Sequence, residues 1–155
     1  MGNSSLQSCS CTIEVRLLKN VYLAGAITDV EDPITWRLQA RRLLPNGWFA
    51  LDPTEHQFTD DITAEQLVRI DLEMIDKSHA VVVCASVPSW GTAMELSHAY
   101  KRRIPIYAFD APRPCSPWLT AHVTVFYDSL QEAMARLGTR VRKRRLKEDV
   151  RQPSA

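Results

Sequence analysis

No stretch of this 155-residue chain approaches the roughly 18 consecutive apolar residues that a membrane-spanning helix needs. The first 20 residues lack the basic start and apolar run of a secretion signal. Met1-Gly2 opens the chain, but Leu6 stands where myristoylation requires Ser or Thr. The cysteines Cys9, Cys11, Cys84 and Cys115 form no CxxC pair and no dense disulfide framework. The expected setting is therefore reducing and cytoplasmic, with Cys84 buried in an apolar run. His56, His79, His98 and His122 are scattered, with no HxxxH and no Cys/His cluster, so no metal is expected. GxGxxG and GxxxxGK[ST] are both missing, which leaves dinucleotide and P-loop sites without support. Ser89 has no GxSxG surround, so a hydrolase elbow is unsupported as well.

Bulk charge is scarce too: 19 basic residues face 18 acidic ones, a net of +1. It is unevenly spread, with seven of the basic residues and two of the acidic ones lying from Thr139 onward. The rest of the chain is thus acidic overall and does not read as a nucleic-acid surface. The basic end reads as a solvated extension rather than a nucleic-acid arm.

What is present is an ordinary globular composition, 45% apolar and 24% charged, in a length that suits one domain. The expected organisation is a polar leader over 1–19, a folded domain over 20–138 and a basic tail over 139–155. Residues 21–27 form a short apolar run broken by Gly25, the pattern of a buried strand ending in a tight turn. Pro33 then opens a helix with Ile34, Leu38, Leu43 and Leu44 inward and Arg37, Arg41 and Arg42 outward, stopped by Pro45-Asn46-Gly47. A second strand over 48–51 ends at Asp52-Pro53. Thr63-Ala-Glu-Gln opens the next helix, with Leu67, Ile70, Met74 and Ile75 on one face. Strands over 80–85, 104–109 and 123–126 follow, with helices from Thr92 to Lys101 and from an Asp128 cap to Leu137, ended by Gly138. Alternating strands and helices with wholly apolar central strands predict a three-layer α/β domain with a parallel five-stranded sheet.

In such a sheet ligands bind beyond the carboxyl ends of the strands where strand order reverses, here between the first and third strands. Loops 25–32, 52–63 and 86–92 therefore hold the candidate site. Pro88-Ser89-Trp90-Gly91-Thr92 leads from a strand into a helix and exposes backbone N–H groups that suit a phosphate or hydroxyl oxygen, or else forms a plain cap on Ser89 or Thr92. One turn further, Glu95 is either a carboxylate satisfying the helix dipole or a nucleophile held in a pocket. Asp71 is four residues from Ile75 and so lies beside the apolar stripe; taken alone it reads as a solvated helix residue. Two carboxylates brought together suit glycosyl chemistry, one attacking the anomeric carbon while the other protonates the leaving group.

Val21-Tyr22-Leu23-Ala24-Gly25, Trp36-Arg37 with Leu43-Leu44, Leu51-Asp52-Pro53, Asp71-Leu72-Glu73-Met74-Ile75-Asp76 and Ser89-Trp90-Gly91-Thr92-Ala93-Met94-Glu95-Leu96 with Ala99 together resemble the nucleoside 2-deoxyribosyltransferase family. The resemblance runs from about Val21 to Phe109, and Gly-Thr-Ala-Met-Glu-Leu is its most specific part. It implies a flavodoxin-like domain, without cofactor, that transfers deoxyribose between nucleobases on 2'-deoxynucleosides. It places the nucleophile on Glu95, the proton donor on Asp71, and substrate contacts on Tyr22, Gly25, Asp52, Ser89, Gly91 and Thr92. It also implies completion of the pocket by a neighbouring copy in a homodimer or larger assembly, with Trp118 and loop 112–117 as one candidate contact. Two departures stand out. Ser89 occupies a position where transferases acting on free nucleosides often carry Asp, so the chain there resembles 2'-deoxynucleoside 5'-monophosphate N-hydrolases more. Ala26 replaces the usual Pro after the strand glycine. A non-catalytic nucleotide-binding module is the alternative of another class, and the presence of both carboxylates argues against it.

Overall fold

The computed structural model describes residues 18–56 and 61–139. The expected leader and basic tail, with Cys9 and Cys11, lie essentially outside the described residues. Five strands, β1 (Lys19–Gly25), β2 (Trp48–Leu51), β3 (Ala80–Cys84), β4 (Ile106–Phe109) and β5 (Val125–Tyr127), form one sheet in the order β2-β1-β3-β4-β5. Every neighbouring pair is parallel. Among the described residues five α-helices connect or follow them: α1 (Thr35–Arg42), α2 (Ala64–Asp76), α3 (Trp90–Lys101), α4 (Pro117–His122) and α5 (Leu130–Leu137). The three-layer α/β architecture expected from the sequence is the one observed.

Strand periodicity divides the core in two. Alternate residues of a strand point to opposite faces of a sheet. Val21, Leu23, Val82, Tyr107 and Phe109 pack with Ala40 of α1 and with Ala133, Met134 and Leu137 of α5. Tyr22, Val81, Val83, Ile106 and Ala108 pack on the other face with Ile75 of α2 and Leu96 and Ala99 of α3. Truncating a fully buried residue such as Ile75 to Ala costs about 2–5 kcal/mol. The site inherits its geometry from this parity: an even-numbered residue of β1 necessarily faces α2 and α3.

Local signals set the helix starts. Thr63 and Gln66 form a reciprocal capping box, Thr63 Oγ1 accepting from Gln66 N at 3.2 Å and Gln66 Oε1 from Thr63 N at 2.9 Å. Asp32 Oδ1 accepts from the amides of Ile34 and Thr35, both at 2.9 Å, and starts α1. At α5 the cap is Ser129, which accepts from Glu132 N at 3.3 Å, rather than Asp128, whose exposed carboxylate pairs with Arg113.

Other expectations are corrected. The faces of α1 are not those the sequence suggested: Arg37 is 0% exposed, whereas Leu38 is 49% and Leu43 38% exposed. Arg37 goes inward because the carbonyl oxygens of Gly25 and Pro33 accept from its guanidinium there and the Asp52 carboxylate stands beside it. β4 begins at Ile106 rather than 104; Pro105 has no N–H for the ladder and contributes only its carbonyl, to Val81 N at 2.9 Å. The last strand starts at Val125 because Val123 closes the short helix α4, which the Pro-rich loop concealed. Cys84 is half-buried rather than buried, and it and Cys115 are free thiols.

Candidate active site

The sheet order reverses between β1 and β3, and Gly25 ends β1 there. Tyr22 is fully buried in β1 and faces α2 and α3. Its hydroxyl donates to Glu95 Oε1 at 2.9 Å, across 73 residues of chain. Glu95 is in the second turn of α3, one residue before the buried Leu96, so the helix face that packs on the sheet also turns its carboxyl toward Tyr22. Burial pushes the Glu95 carboxyl up to about 7; the Tyr22 hydrogen bond opposes this, the charge of Asp71 adds to it, and Arg37 opposes it again. Burial, together with the negative charges of Glu95 and Asp71, raises the Tyr22 phenol far above its ordinary value, so it remains a donor.

Asp71, expected to be solvated, is instead buried on α2 at 7% exposure. It follows Ile70 and precedes Ile75 by one turn, and Ile75 is the residue of α2 that seats in the core. Burial pushes its carboxyl up to about 6, with His56 pulling it back. Asp71 Oδ1 is buried and accepts no hydrogen bond from the described residues. Such an orphaned acceptor is expensive unless a donor arrives from elsewhere. Burial thus raises both carboxyls, and the charge of Asp71 adds to the rise at Glu95.

The remaining predicted residues divide into two sets. Ser89 holds the N-cap position of α3, but its side chain makes no capping hydrogen bond, Gly91 lies open in the first turn, and Thr92 is buried behind them. Gly25 closes β1 against bulk: a Cβ there would lie 3.1 Å from Trp36 Cζ2 and 3.4 Å from Cys84 Cβ. Asp52 sits at the end of β2, 4% exposed, and its carboxylate is occupied by the chain itself. It accepts from Thr54 N at 3.0 Å, Thr54 Oγ1 at 2.7 Å and Arg41 at 3.2 Å, and lies 3.4 Å from Arg37 Nε. Those contacts make Asp52 a holder of loops, and they bring in Arg37, which the sequence reading had turned to solvent. A basic residue four positions before another on a short helix, with Asp just after the next strand, was the available signal.

Two open cavities lie elsewhere, about 580 Å³ beside Tyr100, Arg103 and His122 and about 540 Å³ beside Asp110, Cys115 and Tyr127. Among the described residues no three His, Cys, Asp or Glu side chains gather where they could hold a metal ion. No described helix is long and apolar enough to cross a membrane.

No family model matches the chain. It is 27% identical over 100 residues to a Methanosarcina mazei protein named "Putative 2'-deoxynucleoside 5'-phosphate N-hydrolase 1", covering 61% of this chain and 62% of that one. A 2-deoxyribosyltransferase of Bacillus psychrosaccharolyticus superposes with a TM-score of 0.62 at 20% identity, covering 76% of this chain and 95% of the other. The chain has the 2-deoxyribosyltransferase fold. A second 2-deoxyribosyltransferase, from Leishmania mexicana, gives a TM-score of 0.61 at 20% identity over the same shares, 76% and 95%. The resemblance read from the sequence is the one these comparisons return, and the match spans under two thirds of the N-hydrolase relative's length.

Proposed function

We propose that this protein cleaves the N-glycosidic bond of a 2'-deoxynucleoside through a covalent deoxyribosyl ester on Glu95. The observation that carries the reading is the pair of buried carboxyls, Glu95 held by Tyr22 at 2.9 Å and Asp71 with an unpartnered oxygen, its charge reaching Glu95. The Glu95 carboxylate attacks C1' as the C1'–N bond breaks, and protonated Asp71 gives its proton to the departing base. The ester is then resolved at C1' by a second base, giving transfer, or by water, giving hydrolysis. Ser89, with its uncommitted hydroxyl beside the N-terminal amides of α3, supports a 5'-phosphate on the substrate, and with it the hydrolytic outcome. The 2'-deoxynucleoside 5'-phosphate N-hydrolase relative supports the same reading.

Trp90 and Met94, 90% and 73% exposed on the turns of α3 that flank Glu95, support completion of the pocket by a second copy of the chain. The free thiols Cys84 and Cys115 suit a reducing, cytoplasmic setting.

The four deoxynucleosides and their 5'-monophosphates, each incubated with and without adenine, test the reading by chromatography of the released base. Base release from a monophosphate, with deoxyribose 5-phosphate as the other product, is expected. Glu95→Gln should lower it by at least about 10³-fold. Retained turnover in folded Glu95→Gln overturns the nucleophile assignment, and base exchange into nucleosides moves the assignment from hydrolase to transferase.

A further inference from the structure

The cavity of about 580 Å³ lies at the amino ends of β4 and β5, the edge of the sheet opposite the Tyr22–Glu95 pair. Its walls are the last turn of α3, the turn into β4, the end of α4 and Thr124 just before β5. That volume suits one small ligand. Lys101, Arg103 and His122 line it, and no acidic residue does. Among the described residues the side chains of Lys101 and Arg103 have no ion pair and no hydrogen bond. The carboxylate nearest in the network of α3, Asp76, is already taken, since His98 and Arg102 each hold one of its oxygens at 2.7 Å. Positive charge left unneutralised around a concave surface selects an anion.

A row of rings borders the same cavity. The half-exposed Tyr100 ring lies 4.7 Å from that of His122, and His122 stacks at 29° with the exposed Trp118, 6.2 Å away. His122 Nδ1 donates to the Trp118 carbonyl at 2.7 Å, which holds the imidazole between its two neighbours. Aromatic faces beside cations are what a nucleobase stacks on while its phosphate is neutralised.

The backbone adds a separate observation. The amides of Arg103 and Ile104 close on the carbonyls of Tyr100 at 2.9 Å and Ala99 at 3.0 Å, the two bonds of a Schellman turn. Such a turn needs a left-handed residue after the helix, and glycine adopts that conformation most easily. Here Arg103 does so, with φ at 59°. A long cationic side chain kept where glycine would be less strained points to a use for the guanidinium.

We propose that this cavity is a second ligand site, separate from the carboxyl pair, that binds a nucleoside 5'-phosphate, with the base on Tyr100 and His122 and the phosphate between Lys101 and Arg103. It does not depend on the reading of Glu95, and no bond is made or broken there.

Amide and indole spectra of the ¹⁵N-labelled full chain, titrated with adenosine 5'-monophosphate, test it. This ribonucleotide is outside the 2'-deoxy class proposed as substrate, and any binding at the carboxyl site is read separately, at Tyr22, Gly25 and Gly91. The amides of Arg103, Ile104 and Thr124 and the Trp118 indole should shift with a midpoint below about 1 mM. Adenosine and inorganic phosphate, each alone, should bind at least about tenfold more weakly. Arg103→Gly relieves the left-handed position, so it should melt no lower than the unsubstituted protein while weakening the nucleotide at least about tenfold. Tyr100→Leu should weaken it about fivefold or more. Static cavity resonances at about 10 mM nucleotide overturn the proposal, as does undiminished binding in folded Arg103→Gly. Should that variant not fold, Lys101→Gln decides in its place by the same measure. Phosphate alone binding as well as the nucleotide reduces the cavity to a simple anion patch and overturns the base contact. An oligodeoxyadenylate of four nucleotides binding there at least about tenfold more tightly than the monophosphate overturns the mononucleotide in favour of a single strand.

Discussion

Tyr22 and Glu95 are joined by a 2.9 Å hydrogen bond in which the phenol is the donor, so the sheet itself reaches out to the carboxylate of a helix 73 residues away. A donor to a carboxylate favours its ionised form. Phe fills nearly the same space as Tyr without the donor. Tyr22→Phe should therefore fold, raise the acidic limb of the pH–activity profile by about 1 unit, and lower base release on that limb up to about tenfold. A profile superposable on that of the unsubstituted protein would show that the bond has no bearing on turnover.

The carboxyl pair dictates the shape of that profile. With Asp71 pushed up to about 6 and Glu95 up to about 7 by burial, the charge of Asp71 adding to the latter, the two carboxyls hold one proton between those values, and the reactive form is the one in which it sits on Asp71. Cleavage needs one carboxylate and one acid, so activity should describe a bell with its maximum at about pH 6–7. Asp71→Asn should lower turnover about 10²–10⁴-fold and remove the alkaline limb. A monotonic profile in the unsubstituted protein contradicts the two-carboxylate scheme.

The same shifts make a claim about stability. Both carboxyls have folded-state values above their unfolded ones, 4.5 for Glu95 and 3.8 for Asp71, so the folded state binds protons more strongly. Their favourable contribution is complete at pH values below the unfolded ones and is lost as pH rises through about 6 and about 7. Glu95→Gln, whose amide oxygen still accepts from Tyr22, should be neutral at pH 4 and stabilising at pH 8, on the order of 2–3 kcal/mol. Urea denaturation at the two pH values measures this. A gain that does not grow with pH assigns the effect to packing.

Gly25→Ala tests the crowded turn at the end of β1. The added methyl would stand 3.1 Å from Trp36 and 3.4 Å from Cys84, both in the layer beneath the rim. A loss of about 1–3 kcal/mol is expected, with lower activity at temperatures where the variant is folded. Unchanged thermal stability would mean that Trp36 gives way freely.

The strands were legible because their composition matched their burial: 80–85 is a wholly apolar run, and β3 lies at the centre of the sheet, with Val81, Val82 and Val83 all buried. The reversal of strand order between the first and third strands was expected of a parallel five-stranded sheet, and the family resemblance assigned Tyr22 and Glu95 to one site without saying that they touch. Polar residues in the interior were not legible. Arg37 and Asp71 look solvated because periodicity counts only apolar side chains, and nothing in the spacing says that Asp52 will be there to meet Arg37 or that Asp71 will be buried. Helix α4 escaped notice because Pro112, Pro114 and Pro117 read as loop, although Pro117 is simply its first residue.

Because β1 lies between β2 and β3, its register partners are far along the chain: Val21 aligns with Ala80, 59 residues later. No hairpin can therefore template the sheet. During synthesis β1 can pair only with β2 and keeps its other edge open until Cys84 has left the ribosome. Parallel sheets of this kind fold late, through long-range closure, and stay exposed to edge-to-edge association while they wait. The arrangement that brings Tyr22 and Glu95 together thus leaves one edge of β1 unpaired until β3 has been made.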